Sequence, residues 1–376
     1  MIKVLHIMTD ATLGGAGRVL LQLLSCIDRS RFDVTVAAPS GSELVEQVQR
    51  LGFPVIQTQR GHDRSFERGA VQEYKKIIAG VKPDIVHTHS SFAGKVAAWL
   101  SGVPARISTR HCAYESVGRT GRFPFKQLNG LVNNTLSTAF IAVAHTAAQN
   151  LVDTGIDPKK VRVIINGVEP LPQLTLQQKL EFRRSLGYEP QDFICLVSAR
   201  LEPTKGHEML IDAALQVCQQ VDRRVRFIFM GDGSCRANIE QKIQQCNAVD
   251  LVRLTGFVHD VAPYYNICDC VINGSFEIEA SSLALAEGMS LQKPSVVTDC
   301  GGNPYMITHG VNGLVVPQRD PAAMADALVR LITEPELYET LQTGAGQEYQ
   351  QKFTARAMTA RVEELYFQQT RKEETK

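Results

Sequence analysis

The sequence lacks a hydrophobic run long enough to cross a membrane. No stretch of its 376 residues approaches the roughly 18 consecutive apolar residues that suggest a spanning helix. The apolar run within the first ten residues is also too short for a signal peptide. We therefore expect a cytoplasmic protein, at most peripheral on the cytoplasmic face of the inner membrane.

An excess of charge of one sign is also missing. The 40 Lys and Arg residues oppose 39 Asp and Glu residues, which gives a net charge of +1. Because proteins that wrap DNA or RNA carry a strongly basic surface, we expect no nucleic-acid partner and only a local site for any anionic ligand.

The sequence has too few clustered ligands for a disulfide framework or a metal site. Its nine cysteines are an odd number scattered along the chain, which is typical of reduced thiols. Cys268 and Cys270 are the one close pair, and His87 and His89 have no acid or thiol beside them, whereas zinc takes about four ligands. No Asp-x-Asp pair occurs. We expect no metal and no cofactor.

What the sequence does contain is an alternation of short apolar runs with amphipathic stretches, the pattern of βαβ units. The strands predicted in the first half are 3–8, 32–38, 54–57, 84–88, 106–109, 140–143 and 161–165, with helices such as 18–26, 42–51 and 67–80 between them. The strands predicted in the second half are 193–198, 225–230, 251–254, 270–273, 295–298 and 313–316. They are rich in Val and Ile, which indicates parallel sheets covered on both faces.

A turn dipeptide and two prolines in 166–172 separate the two series. We therefore predict an α/β fold of two tandem, doubly wound, Rossmann-like domains facing a cleft. The domains span 1–168 and 191–352, with a linker and first helix over 169–190. In such sheets ligands bind beyond the carboxyl ends of the strands.

The first predicted strand is followed by Gly14 and Gly15 at a helix start. Successive glycines let backbone N–H groups approach an anion at the positive end of a helix. Leu20 stands where a dinucleotide fingerprint needs Gly or Ala, and no Gly-Lys-Ser/Thr follows. This weakens a dehydrogenase reading and excludes a P-loop, and it leaves a plain glycine turn as the alternative.

Two cations, Arg200 and Lys205, follow strand 193–198. Arg can donate a planar fork to two phosphate oxygens while Lys supplies a compact second charge, so the pair indicates a phosphate clamp. A solvated basic loop is the alternative. Gly231 and Gly233 follow the next strand, where backbone can lie against a ligand.

Two glutamates flank a predicted helix start, with Glu279 just before it and Glu287 inside it. A carboxylate accepts two hydroxyl hydrogens at once, so this spacing can place one carboxylate at a sugar and the other at a ribose. The helix N-terminus between them would face a diphosphate. A solvated acidic helix is the alternative.

Taken together, these segments resemble the retaining glycosyltransferases of the GT-B fold, specifically the group 4 family. The resemblance covers nearly the whole chain and depends on the order and spacing of several motifs: Gly14-Gly15, Asn166-Gly167-Val168, Arg200 with Lys205-Gly206, Gly231-Asp232-Gly233, 279–287, Gly301-Gly302-Asn303-Pro304 and 310–314. It implies that the carboxyl-terminal domain holds a nucleoside diphosphate sugar and the amino-terminal domain receives the acceptor. It also implies that residues 353–376 form a helix that crosses back to the first domain.

The resemblance implies a role for each matching residue of the second domain. Arg200 and Lys205 would bind the donor diphosphate, Glu287 the ribose hydroxyls and Glu279 the hydroxyls of the sugar ring. Backbone groups of Ser282 and Leu283 would touch the phosphates, and Gly231 and Gly233 would also bind the donor.

In the first domain, the resemblance implies that Gly14 and Gly15 approach the phosphates and that His111 lies by the transferred sugar. Three positions depart from the family pattern. Gly17 replaces an acid, Ser282 a glycine and Tyr305 a glutamate. These departures put the identity of the donor sugar in doubt.

The chemistry implied is transfer of a sugar from a UDP- or GDP-sugar to a hydroxyl of a glycan or lipid-linked acceptor, with retention and without a metal. A front-face reaction guided by the leaving phosphate fits better than a glycosyl-enzyme intermediate. The family most often serves bacterial surface polysaccharide, including lipopolysaccharide. A nucleotide-sugar epimerase of the same fold and a non-catalytic nucleotide-sugar-binding protein are the alternatives.

The segment 106–126 combines basic and aromatic residues in the domain expected to receive the acceptor. Its basic residues are Arg106, Arg110, Arg119, Arg122 and Lys126, with Tyr114, Phe123 and Phe125 interleaved and Glu115 as the single acid. A patch of Arg119, Arg122, Phe123 and Lys126 suits an anionic membrane surface or a lipid-phosphate acceptor. Ordinary solvated charges on an acceptor loop are the alternative.

Overall fold

The computed structural model describes residues 1–62, 66–113 and 117–370. The chain divides into two compact units, one formed by Met1–Val168 together with the segment from Ala355 onward, the other by Glu169–Thr354. Each unit contains one wholly parallel sheet with helices packed around it. The predicted α/β class with two Rossmann-like sheets is confirmed.

The first unit contains a seven-stranded sheet in the order β3-β2-β1-β4-β5-β6-β7. Its strands are β1 Ile2–Ile7, β2 Phe32–Pro39, β3 Val55–Thr58, β4 Ile85–His89, β5 Ala105–Arg110, β6 Ala139–Ala142 and β7 Val161–Val163. Its helices are α1 Gly15–Cys26, α2 Glu43–Arg50, α3 Arg68–Val81, α4 Phe92–Leu100, α5 Phe125–Leu136 and α6 His145–Asp153.

The second unit contains a six-stranded sheet in the order β10-β9-β8-β11-β12-β13. Its strands are β8 Phe193–Ser198, β9 Val225–Met230, β10 Val252–Gly256, β11 Cys270–Asn273, β12 Ser295–Thr298 and β13 Gly313–Val316. Its helices are α7 Leu176–Ser185, α8 His207–Gln220, α9 Arg236–Gln245, α10 Ala262–Ile267, α11 Leu283–Ser290, α12 Asn303–Met306, α13 Pro321–Thr333 and α14 Pro335–Glu348.

The predicted strands all occur, with ends within two residues of the expected positions. The prediction for the first helix was wrong at its start, because α1 begins at Gly15 and not at residue 18. Gly15 is therefore the first helical residue and not part of the preceding loop. None of the described helices is both long enough and apolar enough to span a bilayer.

The last helix, α15 (Ala355–Thr370), belongs to the first unit. It packs against α1, and its Glu363 carboxylate accepts a hydrogen bond of 2.8 Å from the Asp28 backbone N–H. Tyr366 is fully buried, with its ring 5.7 Å from that of Phe32 on β2. The chain therefore supplies the first sheet with a cover whose contact with Asp28 joins residues 335 positions apart in sequence.

The order of the strands reverses between β1 and β4 in the first unit and between β8 and β11 in the second. Loops that follow such neighbouring strands diverge to opposite faces and leave room for a ligand beyond the carboxyl ends. In the first unit this position lies near Gly14 and His89, and in the second near Arg200 and Asn273. The predicted site residues follow the strands at these two positions.

Candidate active site

In the second unit the loop after β8 presents the two predicted cations in different environments. Arg200 is exposed, and its side chain forms no hydrogen bond or ion pair with any residue in the described ranges. Lys205 is mostly buried, and its Nζ lies 2.9 Å from Glu279 Oε2 and 3.4 Å from Ser275 Oγ. The structure therefore brings Lys205 to Glu279 and leaves Arg200 able to meet a ligand.

Glu279 is held as a carboxylate by its neighbours. Burial by itself would raise its pKa, but the charge of Lys205 and hydrogen bonds from Asn273, Lys205 and Ser275 outweigh burial and lower the pKa below 4.5. Asn273 Nδ2 donates to Oε2 at 3.0 Å and Ser275 Oγ at 2.8 Å. Three donors thus converge on one oxygen, and Oε1 accepts a longer contact of 3.2 Å from the Ala280 N–H.

Two glycines allow the loops around this carboxylate to approach closely. Gly206 has φ +71°, and a Cβ there would lie 2.2 Å from the Gly274 carbonyl oxygen. Gly301 has φ +53°, and a Cβ there would lie 2.1 Å from the carbonyl oxygen of Glu279 itself. The Gly301-Gly302 turn, which contributed only to the family resemblance, therefore supports the backbone of Glu279.

Glu287 lies on α11, half-buried. Burial raises the pKa of the adjacent Tyr265, and the charge of Glu287 raises it further. Ser282 is the N-cap of α11 but makes no side-chain capping bond, so the first-turn N–H groups are not satisfied by that side chain. The residue after it, Leu283, begins the helix, so the helix starts four residues after Glu279 and not directly after it as expected.

The packing of the second unit requires glycine at both positions after β9, Gly231 and Gly233. Gly231 has φ +147°, and a Cβ there would lie 2.0 Å from the Ala199 carbonyl oxygen. A Cβ at Gly233 would lie 2.5 Å from the Leu201 carbonyl oxygen. Both glycines therefore let this loop pack against the segment that carries Arg200, and contact with a donor stays a prediction.

Gly14 and Gly15 in the first unit are different. A Cβ at either position would meet no atom within 4 Å, and neither residue has a positive φ. Packing within the described part of the protein does not require glycine at these two positions. Open space in front of an uncapped helix start is consistent with the approach of a ligand to the backbone.

His111, at the end of β5, is the half-buried end of a chain of hydrogen bonds. We define the histidine chain as Thr109, His87, Tyr366, His6, His89 and His111. The successive distances are 2.6 Å from Thr109 Oγ1 to His87 Nε2, 2.7 Å from His87 Nδ1 to Tyr366 Oη, 3.2 Å from Tyr366 Oη to His6 Nε2, 3.0 Å from His6 Nδ1 to His89 Nε2, and 2.9 Å from His89 Nδ1 to His111 Nε2.

Sequence reasoning interpreted His87 and His89 as packing or hydrogen-bonding residues, and it missed His6 and Tyr366. His6 could have been found from the sequence, because it lies in the predicted strand 3–8. In the structure it pairs directly with His87 across β1 and β4. The sequence carried no signal for Tyr366, because it arrives from α15 at the far end of the chain.

The same cluster contains the histidines best placed to hold a metal. Ligand nitrogens of His6, His87 and His89 lie within 4.8 Å of one another. Each of the six ring nitrogens, however, already has a hydrogen-bond partner in the histidine chain. A bound ion would have to displace some of these bonds.

The basic segment 106–126 is only in part a surface patch. Arg119, Arg122 and Phe123 are exposed and Lys126 is half-buried, whereas Tyr114 and Glu115 lie outside the described residues. Arg106, the first basic residue of the segment, is half-buried. Its guanidinium donates to the Leu136 carbonyl at 2.9 Å, at the end of α5 where carbonyls lack helical partners, and to the Val103 carbonyl at 2.6 Å.

The helix after this patch shows its apolar side to solvent. Phe125, Leu128 and Leu131 are 52, 61 and 68% exposed, and they recur at the three-residue spacing of one helical face. The opposite face binds the protein through amides, with Asn129 Nδ2 donating to the Thr154 carbonyl at 2.6 Å and Asn134 Nδ2 to the Gly155 carbonyl at 3.1 Å. The helix therefore exposes its apolar face to solvent and turns its polar face towards the protein, the opposite of an ordinary surface helix.

Two family models match the chain, one in each half. Residues 13–170 match the model described as Glycosyltransferase Family 4, and residues 178–348 match the one described as Glycosyl transferases group 1. The break between the two matches, 171–177, lies close to the boundary between the two compact units.

Individual proteins resemble this chain along most of its length. A UDP-Gal:alpha-D-GlcNAc-diphosphoundecaprenol alpha-1,3-galactosyltransferase of Escherichia coli is 24% identical over 97% of this chain and 96% of its own. A putative glycosyltransferase EpsD of Bacillus subtilis is 24% identical over 84% of this chain and 83% of its own.

Solved structures show the same architecture. A glycosyltransferase from Rickettsia africae superposes with a TM-score of 0.84 at 20% identity, covering 98% of both chains. Anabaena Alr3699/HepE in complex with UDP and glucose superposes with a TM-score of 0.81 at 20% identity, covering 97% of this chain and 99% of its own. These likenesses establish the fold.

The contrast between Gly15 and Gly231 gives a first prediction. We expect Gly15→Ala to leave the free energy of unfolding unchanged or to raise it by up to about 1 kcal/mol, because alanine favours helix and meets open space. Gly231→Ala should lower the free energy of unfolding by at least about 2 kcal/mol. Alanine is strained at the φ of this residue, and the Ala199 carbonyl occupies the space of the methyl group. Urea unfolding of both variants tests this, and equal stabilities would contradict it.

A second prediction concerns the Lys205–Glu279 pair. The folded pKa of Glu279 lies below 4.5, so its stabilisation is present at neutral pH and is lost as the pH falls through the folded pKa. In Lys205→Met, the largest effect opposing burial of Glu279 is removed and only the Asn273 and Ser275 hydrogen bonds remain, so protonation becomes more favourable. The loss in unfolding free energy relative to wild type, about 3 kcal/mol at pH 7.5, should therefore shrink towards pH 4.

The matched control is Lys242→Met. Lys242 Nζ lies 2.7 Å from Asp212 Oδ2 in the same unit, but this Asp212 side chain is 42% exposed. Removing the charge of Lys242 should lower the free energy of unfolding by less than about 1 kcal/mol. A Lys205→Met loss that stays constant between pH 7.5 and pH 4 would contradict the assignment.

Proposed function

Because this chain belongs to the glycosyltransferases of the GT-B fold, we propose that it moves a sugar from a nucleoside diphosphate sugar to an acceptor hydroxyl with retention at the anomeric carbon. The observation that carries the proposal is the arrangement in the second unit. An exposed Arg200, a Lys205–Glu279 pair and Glu287 on α11 follow neighbouring strands of one sheet. Cations that can bind a diphosphate and carboxylates that can bind hydroxyls therefore lie together at the carboxyl ends of these strands.

The diphosphate is the part of the donor that this edge suits best. When the sugar leaves, negative charge develops on the phosphate oxygens, and fixed positive groups stabilise that charge more than they stabilise the ground state. Arg200 supplies a planar fork, and the start of α11 supplies N–H groups that Ser282 does not cap. Because these groups serve the role that a divalent ion serves in other transferases, we propose a metal-independent reaction.

Glu279 and Glu287 would bind hydroxyls, the former on the sugar ring and the latter on the ribose. Glu279 is ionised, so both of its oxygens can accept, but Oε2 already receives three donors. A carboxylate so heavily hydrogen-bonded is a weak nucleophile. This supports a front-face reaction guided by the leaving phosphate over a covalent intermediate on Glu279.

For the donor base we propose uridine, and for the acceptor a lipid-linked glycan. The Escherichia coli relative acts with UDP-Gal on a GlcNAc-diphosphoundecaprenol, and the HepE structure holds UDP and glucose. An acceptor of that class lies in a membrane. The pathway we propose is therefore cell-surface polysaccharide assembly at the cytoplasmic face.

The reversed α5 helix supports a peripheral association with that membrane. Its exposed leucines and Phe125 lie next to Phe123, which is 82% exposed, and to the basic Arg119 and Arg122. Apolar groups that enter the interface and cations that attract anionic lipid are the two components of a membrane-surface helix.

A panel of UDP- and GDP-sugars in excess EDTA tests the reaction. We expect release of nucleoside diphosphate that depends on a lipid-linked acceptor, with the anomeric configuration retained in the product. Arg200→Ala should lower turnover about ten- to a hundredfold, because the lost bonds to a charged group are felt in the transition state. Arg184→Ala, an equally exposed arginine on α7, is the matched control and should leave turnover unchanged.

Other results of this panel favour other functions. Donor consumed without acceptor and converted to an isomer would indicate the epimerase, and donor bound but never consumed would indicate the binding protein. Activity restored only by magnesium or manganese would contradict metal independence, and an inverted product would contradict retention.

Membrane association is a separate prediction. We expect the protein to sediment with phosphatidylglycerol vesicles but not with phosphatidylcholine vesicles at low salt. Arg119→Glu with Arg122→Glu should lower the bound fraction at least tenfold, because each basic residue contributes about 1 kcal/mol near an anionic surface.

The apolar contribution has its own variant and control. Leu128→Ser with Leu131→Ser should weaken vesicle binding, whereas Leu176→Ser with Val249→Ser should not, although the latter pair is 73 and 65% exposed. Wild-type protein that stays in the supernatant with anionic vesicles at low salt would contradict the membrane proposal and favour a soluble acceptor.

A further inference from the structure

Each ring of the histidine chain carries a single proton. Burial lowers the pKa of His6 to about 3 and of His111 to about 4, and it lowers those of His87 and His89 well below 6.5. A neutral imidazole has one nitrogen that donates and one that accepts. The direction of any one bond in the chain therefore fixes the direction of every other.

Thr109 sets that direction. Its hydroxyl is buried, and within the described ranges His87 Nε2 is its one hydrogen-bond partner. If His87 Nε2 were the donor, the hydroxyl hydrogen of Thr109 would be buried without an acceptor, which is costly. Thr109 therefore donates to His87 Nε2, and His87 carries its proton on Nδ1.

The remaining bonds follow from this one. His87 Nδ1 donates to the oxygen of Tyr366, whose hydroxyl then donates to His6 Nε2. His6 and His89 in turn carry their protons on Nδ1 and donate to the next ring. His111 thus accepts at Nε2 and keeps its own proton on Nδ1, at the half-buried end of the chain.

We propose that the histidine chain fixes His111 as its Nδ1–H tautomer, with Tyr366 and Thr109 as positioning residues, so that this N–H is presented to an oxygen of the sugar substrate that meets the carboxyl ends of the first sheet. The last clause rests on the proposed function, whereas the tautomer does not. Tyr366 connects the two halves of the histidine chain because its hydroxyl forms hydrogen bonds with both His87 and His6. The final helix α15 therefore completes a network whose other members all lie on β1, β4 and β5 or just beyond their ends.

Nitrogen-15 NMR of the full chain labelled in histidine tests the tautomers directly. We expect the signals of His6, His87, His89 and His111, assigned by single substitution, to show Nδ1–H and a bare Nε2 at pH 7. Isolated neutral histidine in water prefers the other tautomer, so the result is diagnostic. Nε2–H at His111 in the wild type would overturn the proposal.

Thr109→Val removes the hydroxyl that sets the direction while it keeps the shape of the side chain. We expect the Nε2–H form to appear at His111 and turnover at saturating donor to fall about tenfold, with KM for the donor little changed. Thr88→Val is the matched control, since its buried hydroxyl donates to the Ile107 carbonyl at 3.3 Å on the same sheet and forms no hydrogen bond with a histidine in the described part of the chain. It should alter neither the spectrum nor turnover.

Tyr366→Phe cuts the chain at its centre and keeps the ring that packs on Phe32. It should produce the same change at His111 as Thr109→Val, whereas Tyr74→Phe, another buried tyrosine of the first unit, should not. Unchanged His111 tautomers in both chain variants would overturn the proposal, as would tight binding of one equivalent of Zn²⁺ that abolishes the Nδ1–H signals. If the tautomers respond but no variant or wild type transfers sugar, the proposed function fails and the tautomer assignment stands.

Discussion

A polar group that is taken out of water must find a partner, and this constraint organises both candidate regions of the protein. In the second unit the buried Glu279 is stabilised by Lys205, Asn273 and Ser275, which come from the loop after β8 and from the end of β11. The pairing draws two loops together that are about 70 residues apart. It also keeps the carboxylate ionised, which is the state that binds hydroxyl hydrogens.

Close backbone approach makes that pairing possible. Gly206 lies against Gly274, and Gly301 against the carbonyl of Glu279, at distances that a Cβ would occupy. The glycines at 231 and 233 do the same for the segment that carries Arg200. Gly14 and Gly15 have no such packing role among the described residues, and contact of a ligand with them stays a prediction. Glycines that look alike in sequence therefore differ in whether packing requires them.

In the first unit, buried polar groups find partners through neutral hydrogen bonds and not through an ion pair. Four histidines near the carboxyl ends of buried strands are neutral because burial disfavours imidazolium, and each finds a partner in the next. The hydroxyl of Tyr366 on α15 closes the gap between His87 and His6. The histidine chain therefore depends on α15 for one of its members. The same helix covers α1.

The sequence by itself determined the class of fold, because hydrophobic periodicity is a local property and buried parallel strands must be apolar along their whole length. It also placed Arg200, Lys205, Glu279 and Glu287 after strands, at the edge where ligands bind. It did not determine partners. That Lys205 pairs with Glu279, that Arg106 binds a carbonyl at the end of α5, and that Tyr366 joins two histidines were decided by tertiary structure. Such contacts depend on which strands become neighbours and which helix covers them, and no local pattern carries that information for residues 74, 30 or 279 positions apart.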